Sequence, residues 1–256
     1  MGRSTRMSRH PHVRTPGLTV AVAGLKGGVG KTLITYHLAG AAKAAGLAEV
    51  IIVDTDPLKA ALAIARKGDP QELEVLAVSA LGEELPPAAQ SKDLVIIDCP
   101  PSDGFVTRAA MVLADLVLLP TNPGPTDFFA LGGADDEPEE MKGTVDLIRL
   151  AVKEARPDLR VAFVLNRMKP RQILSGSAPA ALQAFGLPVL HTVLVERAAY
   201  ELAAAAGMSV SAFSRRSSAA AEMGALFAEV QRFGATRGAL TEWLPSAGRA
   251  RGGAHA

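Results

Sequence analysis

The chain has a single cysteine, Cys99, in 256 residues. No disulfide framework, zinc site or cysteine-ligated iron–sulfur cluster can be built within it, and a cytosolic compartment fits. No apolar run reaches the roughly 18 residues that span a bilayer. Net charge is almost absent, at +1, so an overall basic surface that coats nucleic acid is excluded and any DNA contact needs a local patch. The first 17 residues lack the apolar stretch of a signal peptide. They carry Arg3, Arg6, Arg9 and Arg14, and read as a disordered arm or as a basic arm that touches DNA.

Apolar material is plentiful. Hydrophobic residues make up 48 % of the chain but aromatics only 4 %, so the core must be built from aliphatics and the abundant alanine, which suits helices packed closely on a sheet. The length fits one large domain with tails. The expected organisation is an arm over 1–17, a nucleotide-hydrolysing domain over 18–234 and a flexible tail over 235–256.

Short apolar runs alternate with helix-period stretches, which predicts an α/β fold: a doubly wound, mostly parallel sheet with helices on both faces. Strands are expected at Leu18–Ala23, Glu49–Val53, Leu73–Val78, Asp93–Asp98, Leu116–Leu119, Arg160–Leu165 and Val189–Val193. Helices are expected at Thr32–Ala45, Lys59–Lys67, Val106–Ala114, Gly143–Ala155, Pro179–Phe185, Ala198–Ala206 and Ser217–Phe233.

Between the first strand and the first helix stands Gly24-Leu25-Lys26-Gly27-Gly28-Val29-Gly30-Lys31-Thr32. A glycine-rich strand-to-helix turn lets backbone N–H groups close around phosphate oxygens, and the helix N-terminus adds positive charge. Gly27, Gly28, Val29 and Gly30 would cradle the phosphates. Lys31 would pair with the β- and γ-phosphates, and the Thr32 hydroxyl would ligate Mg²⁺. Leu25 stands where the strict phosphate-loop pattern has its first glycine, and Lys26 adds a second lysine. Two further acidic segments end predicted strands: Asp54-Thr55-Asp56-Pro57 and Asp93–Asp98 followed by Cys99-Pro100-Pro101. Asp98 has the chemistry to hold the Mg²⁺ shell. Asp56-Pro57 is also a turn-forming pair, but its place in the ordered series favours chemistry.

The lysine-glycine-glycine-valine-glycine-lysine-threonine run is the deviant Walker A motif, and the chain from about Leu18 to Phe233 resembles ParA-type partition ATPases of the ParA/MinD family. The two acidic segments resemble that family's switch I and its Walker B strand with switch II. The resemblance implies Asp56 as the residue that positions the attacking water, with Asp54 supporting metal-bound waters. It makes Asn166 and Arg167, at the end of Val164–Arg167, readers of the adenine base. It implies that Lys26 reaches the partner subunit's nucleotide in an ATP-dependent sandwich dimer. ATP and Mg²⁺ are the implied cofactors. Pro120–Asp127, Arg197–Tyr200 and Ala206–Val210 add to the likeness with small ParA proteins. Two features depart from it: Leu58 and Lys59 follow Pro57, where Gln and Gly are usual, and an acidic stretch runs over Asp135–Glu140.

Iron–sulfur relatives are excluded by the single cysteine, and tyrosine kinases of this fold by the presence of only Tyr36 and Tyr200. The end of the chain carries no amphipathic membrane helix, so no membrane partner is expected. The implied function is DNA partition in the cytoplasm, on the nucleoid. It would use non-specific DNA binding by the ATP dimer, and a ParB-like centromere-binding protein would stimulate hydrolysis. Arg215, Arg216 and Arg232, around the last long helix, are the candidate phosphate contacts. The alternatives are a relative that positions a protein cargo, such as a chemotaxis or conjugative-transfer complex, and a metabolic ATP-dependent synthetase.

Overall fold

The computed structural model describes residues 17–102, 104–129, 131–132, 143–146, 148–149, 158–169, 171 and 177–235. The basic arm before Gly17, the acidic stretch, most of the helix expected over Gly143–Ala155, and the tail after Ala235 lie outside them.

Six strands form one sheet: β1 (Leu18–Val22), β2 (Val50–Asp54), β3 (Glu74–Ala77), β4 (Leu94–Asp98), β5 (Leu116–Thr121) and β6 (Arg160–Leu165). Their order is β3-β2-β4-β1-β5-β6, and every neighbouring pair runs parallel. Parallel strands buried on both faces need continuous apolar sequence rather than polar alternation. Leu94-Val95-Ile96-Ile97 and Val50-Ile51-Ile52-Val53 supply it, and all are buried.

The two-residue period of the strands splits their side chains between two cores. Val20, Val22, Ile52, Leu94, Ile96, Leu116, Leu118 and Val164 face one layer of helices: α1 (Lys31–Ala44), α6 (Ala198–Ala205), α7 (Val210–Phe213) and α8 (Ser218–Ala235). Ala21, Ile51, Val53, Val95, Ile97, Val117, Leu119, Phe163 and Leu165 face the other, which holds α3 (Phe105–Leu113) and α5 (Ser177–Gln183). Two further short helices, α2 (Ala60–Ala65) and α4 (Pro125–Phe129), follow β2 and β5. None of the described helices is long and apolar enough to cross a membrane.

The structure corrects one predicted element. Val189–Val193 is not a strand; only isolated bridges, Phe163 with Val189 and Met168 with Val195, join this segment to the sheet side. The N–H groups from Leu190 to Leu194 are shared between β6 and α8. Leu190 and Leu194 donate to the Phe163 and Leu165 carbonyls, both at 2.9 Å. His191 and Thr192 donate instead to the two oxygens of Glu229 on α8, at 2.7 and 2.9 Å. One side-chain carboxylate thus completes what a ladder would have supplied.

Candidate active site

The carboxyl ends of β1, β2, β4 and β6 meet at one edge of the sheet, where the strand order reverses around β1, the place where open α/β sheets hold ligands. Register sets the neighbours: Val22 pairs with Asp98, and Asp98 with Asp54. The glycine-rich turn and both acidic segments therefore leave the same edge.

After β1 the chain turns through Gly24, Gly28 and Gly30, all at positive φ. Gly30 caps α1 at φ 92°, ψ 20°. A Cβ there would also press on the Asn166 side-chain amide, but the positive φ is what calls for glycine. Asn166 in turn donates Nδ2 to the Val29 carbonyl at 2.8 Å, fastening the end of β6 to the loop.

The two lysines point to different partners. Lys31 is buried and donates Nζ to the Lys26 carbonyl at 2.9 Å, arching across the loop. Burial lowers its pKa from the ordinary value, against the pull chiefly of Asp98. Lys26 swings the other way to α4, where Nζ donates to Thr126 Oγ1 at 3.1 Å and lies 3.1 Å from Asp127 Oδ1.

Asp98 is fully buried. Thr35 Oγ1 reaches its Oδ1 at a long 3.4 Å, and Oδ2 has no hydrogen bond of good geometry. Burial pushes its pKa up to about 7, against the hydrogen bond from Thr32 and aided by the charges of Asp54 and Asp56. A buried carboxylate oxygen short of partners, facing the hydroxyl of Thr32 and the amine of Lys31, fits a hard divalent cation carried in with phosphate oxygens. Magnesium in such sites takes one or two protein ligands, and among the described residues no His, Cys, Asp and Glu cluster forms a cage of its own.

Asp54 and Asp56 form a folded hairpin of hydrogen bonds. Asp54 Oδ1 accepts from Asp56 N at 3.2 Å and its Oδ2 from Leu62 N at 3.0 Å, so this side chain holds both the loop and the start of α2. Asp56 Oδ1 accepts from Leu58 N at 2.8 Å. Lys59 adopts left-handed backbone, φ 51°, and donates Nζ to the Asp54 and Val78 carbonyls at 3.1 and 2.5 Å. The unusual lysine thus ties the ends of β2 and β3 together. Leu58 is left 84 % exposed beside it.

A cavity of about 280 Å³ opens beside α1, lined by Leu33, Asn166, Arg167, Val195, Arg197 and Tyr200 among others. This is near the lower end of the range for small-ligand pockets, about 300–1,000 Å³. Arg167 sits at φ 52°, with Nη2 3.6 Å from Glu201 Oε1. Cys99 is buried, and burial raises its thiol pKa, which makes it a packing group. Arg215 and Arg216 are exposed before α8, whereas Arg232 lies near its far end. Arg232 lies 14 residues beyond Ser218, about 21 Å along the helix axis, apart from the adjacent pair.

The sequence assigned no contact to Thr35, Thr144 or Glu222, and it marked Thr126 and Arg197 only as part of the likeness. Thr35 was legible, since it lies one helical turn beyond Lys31 and Thr32 on the same face. Thr144 accepts a hydrogen bond from Leu25 N at 3.1 Å across 119 positions, and no local pattern announces it.

The profile of the CobQ/CobB/MinD/ParA nucleotide-binding domain matches residues 20–210, most of the chain. The chain belongs to this family. Among the relatives of this ParA/MinD-type chain is the maintenance of carboxysome distribution protein A of Halothiobacillus neapolitanus. It is 33 % identical over 80 % of this chain and 91 % of that protein. The chromosome partitioning protein ParA of Myxococcus xanthus is 28 % identical over 60 % of this chain and 66 % of its own length. The apo McdA structure from Cyanothece superposes with a TM-score of 0.63 at 17 % identity, over 84 % of this chain and 98 % of that one, a likeness of fold.

Proposed function

We propose that this ParA/MinD-type chain is a Mg²⁺-dependent ATPase that alternates between an ADP-state monomer and an ATP-bound dimer on non-specific DNA, and so distributes a protein cargo. The observation that carries the ATPase reading is the convergence of Lys31, Thr32, Asp98 and Asp56 at one sheet edge, around a carboxylate oxygen that lacks a good partner. In this reading the phosphate loop and Lys31 hold the β- and γ-phosphates, while Thr32 and Asp98 hold Mg²⁺, which neutralises charge between those phosphates. Asp56, oriented by its bond from Leu58 N, positions water. Asp54 keeps the loop in shape and supports the metal's waters. Asn166 and Arg167 bound the adenine side of the cavity. Lys26, on the outer side of the loop, contacts the partner subunit's phosphates in the dimer.

A protein cargo is favoured over a replicon by the breadth of likeness. The carboxysome-distribution relative matches over 91 % of its length at 33 % identity, the chromosome-partitioning one over 66 % at 28 %. The second reading, DNA partition with a ParB-like centromere-binding partner, keeps the same ATPase cycle on the nucleoid. Deleting the gene from its host separates the two. The expected result is a misplaced protein assembly with normal replicon inheritance. Replicon loss with every protein assembly in place would favour partition.

A further inference from the structure

The cavity beside Asn166 has a wall tied from behind to the last helix. The segment after Leu190 runs between β6 and α8, and Val195, Arg197 and Tyr200 line the cavity from it. All three bond to one side chain behind the wall, Glu222 of α8. Its Oε2 accepts from Val195 N at 3.2 Å and from Tyr200 Oη at 2.9 Å. Its Oε1 accepts from Arg197 Nε and Nη2 at 2.8 and 2.6 Å. Glu222 itself does not line the cavity. The Tyr200 carbonyl closes the circuit by accepting from Nε2 of His37, on the helix that the phosphate loop caps.

Such a carboxylate holds three wall residues together, with two charge-assisted bonds from Arg197 converging on its Oε1. The Arg197 pKa is raised by this bond, as expected for a guanidinium held by a carboxylate. A ligand in the cavity meets a wall whose ordering has been met in advance by folding, which favours affinity.

We propose that Glu222 is a positioning residue for the nucleoside: by holding Val195, Arg197 and Tyr200, it makes nucleoside affinity depend on the seat of α8. The inference rests on the reading of this cavity as the nucleoside site. By reciprocity, a nucleotide that settles against the wall favours the seating of α8, the helix flanked by Arg215 and Arg216.

The test is calorimetric titration of the full chain with Mg-ATP and, separately, with magnesium tripolyphosphate, which has the phosphates but no nucleoside. Glu222→Ala should weaken ATP binding about tenfold and leave tripolyphosphate binding within about twofold, since only the wall has changed. Glu222→Gln keeps an acceptor for Val195 N and Tyr200 Oη but loses the ionic contact. It should lie between, at about threefold, and it preserves the test should the alanine variant fold poorly. Equal losses for both ligands would reduce Glu222 to general stability and overturn the proposal, as would unchanged ATP binding in both variants. If the parent chain binds tripolyphosphate as tightly as ATP, the cavity is no nucleoside site, and that reading falls together with the inference.

Discussion

Asp98 is a carboxylate held where water does not reach it, and its pKa of about 7 lies well above the ordinary 3.8. A group whose pKa rises on folding contributes stability below its unfolded value, and that stability is lost as pH rises through the folded value. Above pH 7 the ligand-free protein therefore carries a buried anion that the unfolded chain would solvate. Asp98→Asn removes it. The variant should melt a few degrees higher than the parent at pH 8 without ligand, yet show no Mg²⁺-dependent hydrolysis and no further rise with Mg-ATP. A variant that melts lower than the parent at pH 8 would contradict this account. His37 has the opposite sign. Its Nε2 donates to the Tyr200 carbonyl and its Nδ1 accepts from Val210 N at 3.0 Å, so the neutral ring is the one that fits. Burial lowers its pKa from 6.5 to about 4. Stability from this site is complete above pH 6.5 and falls as pH drops toward 4, by up to about 3 kcal/mol. Urea midpoints between pH 6.5 and 5 should fall more steeply in the parent than in His37→Gln, and equal slopes would rule the histidine out as the cause.

At the scale of elements, the strands of the sheet and the loops leaving them were legible because their causes are local. Leu94–Asp98 is apolar, β-branched and ended by an acidic turn, and it forms the strand expected within one residue at its start. Arg160–Leu165 matches its expected bounds. Val189–Val193 has equally good strand composition and is not a strand, because His191 and Thr192 donate to Glu229, 38 and 37 positions later. Helix α7, only four residues long, is set by Ser209, whose Oγ accepts from Ala212 N at 3.2 Å, a signal too short to stand out in sequence. In the candidate site, the glycines and acidic strand ends were readable, but the packing of Lys26 against α4 and of Lys59 across two strand ends was not. Those contacts depend on distant backbone. Glu229 tests the explanation for the lost strand. Burial raises its pKa, and the bonds from Thr192 and His191 outweigh this and leave it below the ordinary value. Glu229→Ala strands two backbone N–H groups and should cost about 3 kcal/mol in urea denaturation. A loss below about 1 kcal/mol would show that water replaces the carboxylate. The exposed pair before α8 has its own test. With Asp56→Ala and ATP, the further change Arg215→Ala/Arg216→Ala should weaken binding to unrelated duplexes. It should also flatten the dependence of log affinity on log salt by about 2 per protomer. An unchanged slope would place the phosphate contacts elsewhere.

For the whole molecule, the proposed function has the phosphate loop, Asp56 and Lys26 attend the phosphates, while the cavity lined by Asn166 takes the nucleoside. A second subunit that engages Lys26 would meet phosphates rather than base, which suits a switch governed by the γ-phosphate. The most direct measurement is the solution mass of Asp56→Ala by light scattering, with Mg-ATP or Mg-ADP, and of the same protein carrying Lys26→Ala. We predict a rise from the 26.6 kDa monomer to twice that mass with ATP alone, and its disappearance without Lys26. A monomer in ATP, a dimer of equal strength in ADP, or an ATP dimer that persists without Lys26 would contradict the account.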